Sequence, residues 1–138
     1  MKRVLATVAI ALGAILVVAC SSPPGTTAAL PGTTWSVTTI GSATTIADGP
    51  PTMSFGADGK LTGSTGCNTY SGTYKLDGAS ITVGPLGMTL MLCQGAAGAQ
   101  QAAFAAAIQK VTAWSIGADG ALTLTGATDI VSKPAGGG

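Results

Sequence analysis

The chain has 138 residues, a formal charge of +1 and only 8% charged side chains. Histidine is absent, which removes the commonest general base, the commonest metal ligand and every His-dependent triad. Six basic residues against five acidic ones leave no basic patch, and this excludes a nucleic-acid footprint.

Lys2 and Arg3 open the chain, an apolar run over residues 4–19 follows, and Cys20 ends it. The run of about 16 residues is shorter than the roughly 20 that a spanning helix needs. A basic start, an apolar stretch and a small residue before the cut form the secretory pattern. The string Val17-Val18-Ala19-Cys20 resembles the lipobox of a bacterial lipoprotein. The resemblance implies a signal peptide over 1–19 and a membrane partner reached through lipidated Cys20, with the protein facing the extracytoplasmic side. An uncleaved anchor, or a plain signal peptide cut near Ala19, are the alternatives. Removal of the signal leaves four lysines facing five aspartates, a mature charge of about −1. Residues 20–32 read as a lipid-anchored flexible tether rich in Ser, Pro, Gly and Thr.

Strand signals follow. Trp35-Ser36-Val37-Thr38-Thr39-Ile40 alternates apolar and polar residues, as a half-buried strand does. Residues 52–64 read as a hairpin around Gly56-Ala57-Asp58-Gly59. Residues 70–83 read as a second hairpin around Asp77-Gly78, and residues 114–124 as a third around Gly117-Ala118-Asp119-Gly120. The two Gly-Ala-Asp-Gly strings are better explained by recurring turn chemistry than by an internal repeat. Turn duty also accounts for Asp58, Asp77 and Asp119, so no carboxylate pair is legible and no enzyme is expected.

Residues 96–111 change period. Phe104, Ile108 and Val111 form a narrow apolar stripe and alanines supply helix propensity, which predicts one helix packed on a strand-rich core. Residues 133–138 read as a flexible tail.

Cys67 and Cys93 are an even pair in an exported chain, and this predicts a disulfide. Two free buried thiols or a metal site are the alternatives, the last disfavoured because no further ligands stand nearby. No metal and no cofactor is expected.

The segment Gly66-Cys67-Asn68-Thr69-Tyr70-Ser71-Gly72-Thr73-Tyr74 is similar to the signature of the META domain family, the HslJ-like proteins. Trp35, the strand at residues 51–55, the block Thr89-Leu90-Met91-Leu92-Cys93, the helix residues Phe104 and Ile108, and the late strand at residues 122–124 match in order. The likeness covers residues 33–132. It implies a mainly β (α+β) domain, a small antiparallel barrel-like sheet of about seven to nine short strands with one packed helix. It also implies a place in the cell envelope and a link with stress or antibiotic tolerance, without an established enzymatic activity. Gln100 and Gln101 stand where relatives often have Glu, and Leu90 where a basic or polar residue is common.

Within the signature the glycines allow tight backbone around Cys67, and Tyr70, Gly72 and Tyr74 share a strand face. Asn68, Tyr70 and Tyr74 are the residues a binding patch would use; structural duty is their other reading. The leading function is a non-catalytic envelope module that binds an unknown envelope protein or lipid, as a monomeric domain. The alternative is a carrier of a small lipid or hydrophobe, lined by Met53, Phe55, Leu86, Met88 and Met91.

Overall fold

The computed structural model describes residues 29–136. The expected signal peptide, Cys20, the tether as far as residue 28 and the last two residues of the tail lie outside the described residues.

The elements in chain order are β1 (Thr33–Ile40), β2 (Ala43–Thr44), β3 (Thr52–Phe55), β4 (Lys60–Ser64), β5 (Thr69–Asp77), β6 (Ser80–Val83), β7 (Gly87–Met88), α1 (Gly95–Ile108), β8 (Val111–Ile116), β9 (Leu122–Gly126) and β10 (Ile130–Pro134). Eight of the strands close an antiparallel barrel in the order β1-β3-β4-β5-β6-β8-β9-β10, with β10 returning to β1. β2 folds back on β1, and β7 lengthens the edge of β5 beyond the reach of β6. This is the mainly β barrel with one helix that the sequence predicts.

The three expected hairpins are β3–β4, β5–β6 and β8–β9. The two Gly-Ala-Asp-Gly turns are built alike. Gly56 N–H donates to the Lys60 carbonyl and Lys60 N–H to Asp58 Oδ1; Gly117 N–H donates to the Ala121 carbonyl and Ala121 N–H to Asp119 Oδ1. Gly59 and Gly120 take the left-handed backbone at φ 83 and 81. Identical local chemistry therefore explains the repeated string. Asp129 serves a turn as well, accepting from Gly126 N–H at 3.2 Å.

Two expectations shift. Simple alternation along β1 would carry Trp35 and Val37 inward and leave Ile40 outside. A register irregularity between Val37 and Thr39, where β1 meets β10, resets the phase, and Ile40 is buried. The helix ends at Ile108 rather than at 111. Lys110 N–H bonds to the Ala107 carbonyl, and Val111 is buried as the first residue of β8, opposite Gly126. Pairing with β9 outweighs helical spacing at that β-branched residue.

The barrel axis is filled by Trp35, Val37, Met53, Phe55, Leu61, Tyr70, Tyr74, Ile81, Leu122, Leu124 and Ile130, all buried in one cluster with Phe104 and Ile108 of α1. The helix thus packs against this core with Phe104 and Ile108, two of the three residues of the stripe predicted for it. Leu30, inside the segment read as tether, is fully buried, and Gly32 N–H bonds to the Phe55 carbonyl. At the other terminus β10 runs on to Pro134, inside the segment read as tail. Because Thr33 pairs with Phe55 while Ile40 lies beside Ala96 and Ala99 of α1, the chain enters the barrel at the end away from the helix.

Candidate functional site

The signature residues build a frame. Tyr70 lies opposite Gly63 on β4, reaches across that strand, and donates its hydroxyl to the Thr52 carbonyl of β3 at 2.6 Å. Tyr74, four residues further along β5, donates its hydroxyl to the Gly56 carbonyl just after β3 at 2.6 Å. A Cβ at Gly63 would overlap the Thr52 carbonyl, so the crossing needs glycine there. Tyr74 packs edge-on against Phe55 with centroids 5.1 Å apart, and Tyr70 packs tilted against Phe104 of α1 at 5.5 Å. Gly72, between the tyrosines, leaves the space that Leu86 and the Pro85 carbonyl occupy. Burial pushes the Tyr70 phenol well above its ordinary range; the Tyr74 phenol is raised by burial and then by the charge of Asp58.

Asn68 lies at the start of this frame, 2% exposed. Its backbone N–H donates to Thr65 Oγ1 and its carbonyl accepts from Thr65 N–H. Its side chain leaves the frame for another segment. Oδ1 accepts from Met91 N–H at 2.7 Å and from Thr89 Oγ1 at 2.8 Å; Nδ2 donates to the Met91 carbonyl at 3.0 Å and to Gln101 Oε1 at 2.8 Å. Two residues on, Cys93 is joined to Cys67 by a disulfide, with Cα atoms 6.1 Å apart. On the near side Thr89 N–H donates to the Thr69 carbonyl at 3.0 Å. Residues 89–93 are thus fixed before, within and after their apolar part.

What this fixation holds up is unusual. Leu90, Met91 and Leu92 are 96%, 62% and 83% exposed, and they are the large apolar side chains left outside the core among the described residues. The chain carries no charged side chain between Asp77 and Lys110, so the segment that bears the tip is itself uncharged. Consecutive apolar residues on a surface loop are the kind of patch that marks an interaction site.

A second apolar surface is concave. A groove of about 370 Å³ runs beside α1, lined by Ile40, Ala43, Ile46, Ala96, Ala99 and Ala103 with Thr44, Thr45 and Gln100. Buried Gln100 bolts its far wall to the helix. Ile46 N–H donates to Gln100 Oε1 at 2.8 Å, and Gln100 Nε2 donates to the Gly49 carbonyl at 2.7 Å.

The residues expected as a binding patch therefore sit inside. Asn68, Tyr70 and Tyr74 are 2%, 3% and 6% exposed, and their polar atoms serve internal hydrogen bonds. Of the residues expected to line a carrier interior, Met53 and Phe55 are fully buried core, Leu86 and Met88 pack against it, and Met91 points outward. The sequence reading missed the tip; the signal available was the apolar run Leu90-Met91-Leu92 itself, which neither alternates like a strand nor has helical length.

A model of the META domain family matches residues 28–133. No curated protein matches the chain. Solved structures do. An NMR structure of a protein from Burkholderia xenovorans matches at 21% identity and a TM-score of 0.67, over 98% of this chain and 99% of the other. A second NMR structure matches at 26% identity and a TM-score of 0.64, over 77% and 92%. The crystal structure of a DUF4847 family protein from Bacteroides vulgatus matches at 17% identity and a TM-score of 0.57, over 79% and 96%.

Proposed function

This chain belongs to the META domain family, and on that footing we propose that it is a lipid-anchored protein of the cell envelope whose domain binds a partner and catalyses no reaction. The observation that carries the binding role is the tip. Leaving Leu90 and Leu92 in water is unfavourable, yet Asn68 and the Cys67–Cys93 bond hold them there. Burying three such side chains against a partner returns about 5–8 kcal/mol gross. Association and ordering consume much of that gain, so a moderate affinity follows.

The anchor rests on Cys20 after the apolar run, and it sets the protein on the extracytoplasmic side of a membrane. Two acyl chains suffice for stable anchoring. A role in envelope stress or antibiotic tolerance follows from the family likeness, with the partner an envelope protein or lipid. The absence of histidine and the turn duty of Asp58, Asp119 and Asp129 support a binding module over an enzyme. A second reading, a carrier of a small hydrophobe, is favoured by the groove beside α1 and would use that groove in place of the filled barrel.

The deciding experiment is cross-linking in intact cells with three forms of the full chain: unaltered, Leu90→Ser with Leu92→Ser, and Cys20→Ala. The tip variant is expected to lose the cross-linked species while staying in the membrane fraction. Cys20→Ala is expected to prevent lipidation, read as the mass of the processed chain. An unchanged cross-linking pattern in the tip variant would remove the binding role, and an unlipidated native chain would remove the anchor.

A further inference from the structure

The exposed residues on either side of Leu90, Met91 and Leu92 are Thr89, Gln94, Gly95 and Ala96, and none is charged. Cys67, Asn68, Thr69 and Gln101, to which the segment is tied, are uncharged as well. The backbone at the centre of the tip satisfies itself. Met91 N–H donates to Asn68 Oδ1 at 2.7 Å, and the Met91 carbonyl accepts from Asn68 Nδ2 at 3.0 Å. A protein partner brings hydrogen bonds of its own to a loop, whereas hydrocarbon brings none and penalises every unpaired group. Reach also permits a lipid contact. Leu30 is buried and Gly32 N–H bonds to the Phe55 carbonyl, so the chain enters beside the β3–β4 turn. The tip is tied to Asn68 and Thr69, at the far end of β4, a strand of five residues and about 13 Å. The residues from Cys20 to Leu30 span up to about 35 Å when extended. That exceeds the strand and the tip together, so a chain held at Cys20 can bring the opposite end of its barrel onto the same membrane.

We propose that Leu90, Met91 and Leu92 insert into the bilayer to which Cys20 anchors the chain, at the boundary between headgroups and acyl chains. The domain then stands on its membrane with the start of α1 toward the lipid and the turn at Gly56–Gly59 away from it. The proposal rests on the reading of Cys20 as the anchor and of the tip as a binding surface, and it names lipid as the partner. Alone the tip is a weak ligand, because three side chains immerse less apolar surface than one myristoyl chain, whose own binding is marginal. On an anchored chain the contact becomes intramolecular, and a short tether holds the tip at a high effective concentration beside the bilayer. The acyl chains therefore retain the protein and the tip orients it. The disulfide and Asn68 fix the tip before contact, so little ordering opposes insertion. With no charge in the segment, insertion owes nothing to Coulomb attraction and is insensitive to salt.

The test reconstitutes the full acylated chain in phosphatidylcholine vesicles and reads insertion by fluorescence. Leu90→Trp and Leu92→Trp place a reporter at tip positions that are 96% and 83% exposed. Ala57→Trp places one, also exposed, in the turn at the other end. Subtracting the emission of the unaltered chain removes Trp35 and Trp114. Lipid brominated along its acyl chains is expected to quench each tip reporter at least about twofold and to leave Ala57→Trp unchanged. The quenching is expected to be the same at about 0.1 M and about 1 M salt. Unquenched tip reporters on a chain whose mass shows acylation overturn the proposal and leave the anchor standing. Unquenched reporters while Leu90→Ser with Leu92→Ser still abolishes cross-links in intact cells also overturn it, and keep the tip as a binding surface for a protein. Equal quenching of Ala57→Trp overturns the orientation. A chain without acyl mass removes the anchor reading and the proposal with it.

Discussion

Asn68 and Met91 form a closed pair: the side-chain amide of Asn68 accepts from the Met91 N–H at 2.7 Å and donates to the Met91 carbonyl at 3.0 Å. A side chain here does what a neighbouring strand would do, and it fixes a segment that no sheet covers. Asn68→Ala is expected to lower stability by about 2–3 kcal/mol, because several buried hydrogen bonds go at once. Asn68→Asp should cost more at neutral pH, since its carboxylate would face the Met91 carbonyl. Urea unfolding of both variants checks the order; an aspartate variant as stable as the native chain contradicts it.

The disulfide acts on the same segment from the other side. Its cysteines are 26 residues apart, and a loop of that size corresponds to about 3–4 kcal/mol of chain entropy. Replacing Cys67 and Cys93 by Ser should lower the unfolding free energy by that amount. Amide exchange at residues 89–93 should also quicken more than exchange in β4. Equal acceleration in both places would mean that the bond serves the barrel as a whole.

Tyr70 and Tyr74 give the protein an alkaline limit. Both phenols are raised above the ordinary 10.0, chiefly by burial. Above that value the unfolded chain has released protons that the native state still holds. Their contribution is therefore complete below about pH 10 and lost as pH rises through the folded-state values. Unfolding midpoints measured from pH 7 to 11 should fall steeply above 10. Tyr70→Phe should flatten that fall while lowering stability at pH 7 by about 1–2 kcal/mol, because the Thr52 carbonyl loses its donor.

Glycines divide by what surrounds them. At Gly63 a methyl would meet the Thr52 carbonyl and come within 2.7 Å of Tyr70 Oη. Gly63→Ala should lower stability by about 3 kcal/mol. Gly78 has φ +58 and open space around it, so Gly78→Ala should cost only the left-handed penalty of about 1–2 kcal/mol. Thermal unfolding that ranks the two the other way would show that the tyrosine crossing tolerates displacement.

Ser132 supplies a prediction of opposite sign. Its hydroxyl is the buried side-chain polar atom without a hydrogen-bond partner among the described residues, and the residue is 1% exposed. Ser132→Ala should raise stability by about 1 kcal/mol by removing an unsatisfied group. A loss in calorimetry would indicate that the oxygen is satisfied in solution.

The sequence discloses those parts of this fold that depend on near neighbours. A turn such as Gly56-Ala57-Asp58-Gly59 is decided by its own residues, so the three hairpins and the stripe of Phe104 and Ile108 could be placed before any coordinates. The phase change in β1 could not, because it depends on β10 nearly a hundred residues later. Val111 belongs to a strand because Gly126 waits opposite it, which helical spacing does not reveal. For the site, the cysteine pair was legible from its even count together with the export expected from the start of the chain. The exposure of Leu90 and Leu92 was not, since apolar residues ordinarily go inward and only the finished barrel shows that they have nowhere to go. Asn68 was legible as important but not as a clamp, because its partner Met91 lies 23 residues on.

The return of β10 to β1 also orders events in time. Thr38 Oγ1 bonds to the Val131 carbonyl across 93 residues, so the first strand to be synthesised is among the last to be finished. Until the final hairpin arrives, β1 offers an unpaired edge to any neighbouring polypeptide, and contacts of such sequence separation form slowly. Every newly made copy passes through that stage, and a holding chaperone would find its target there.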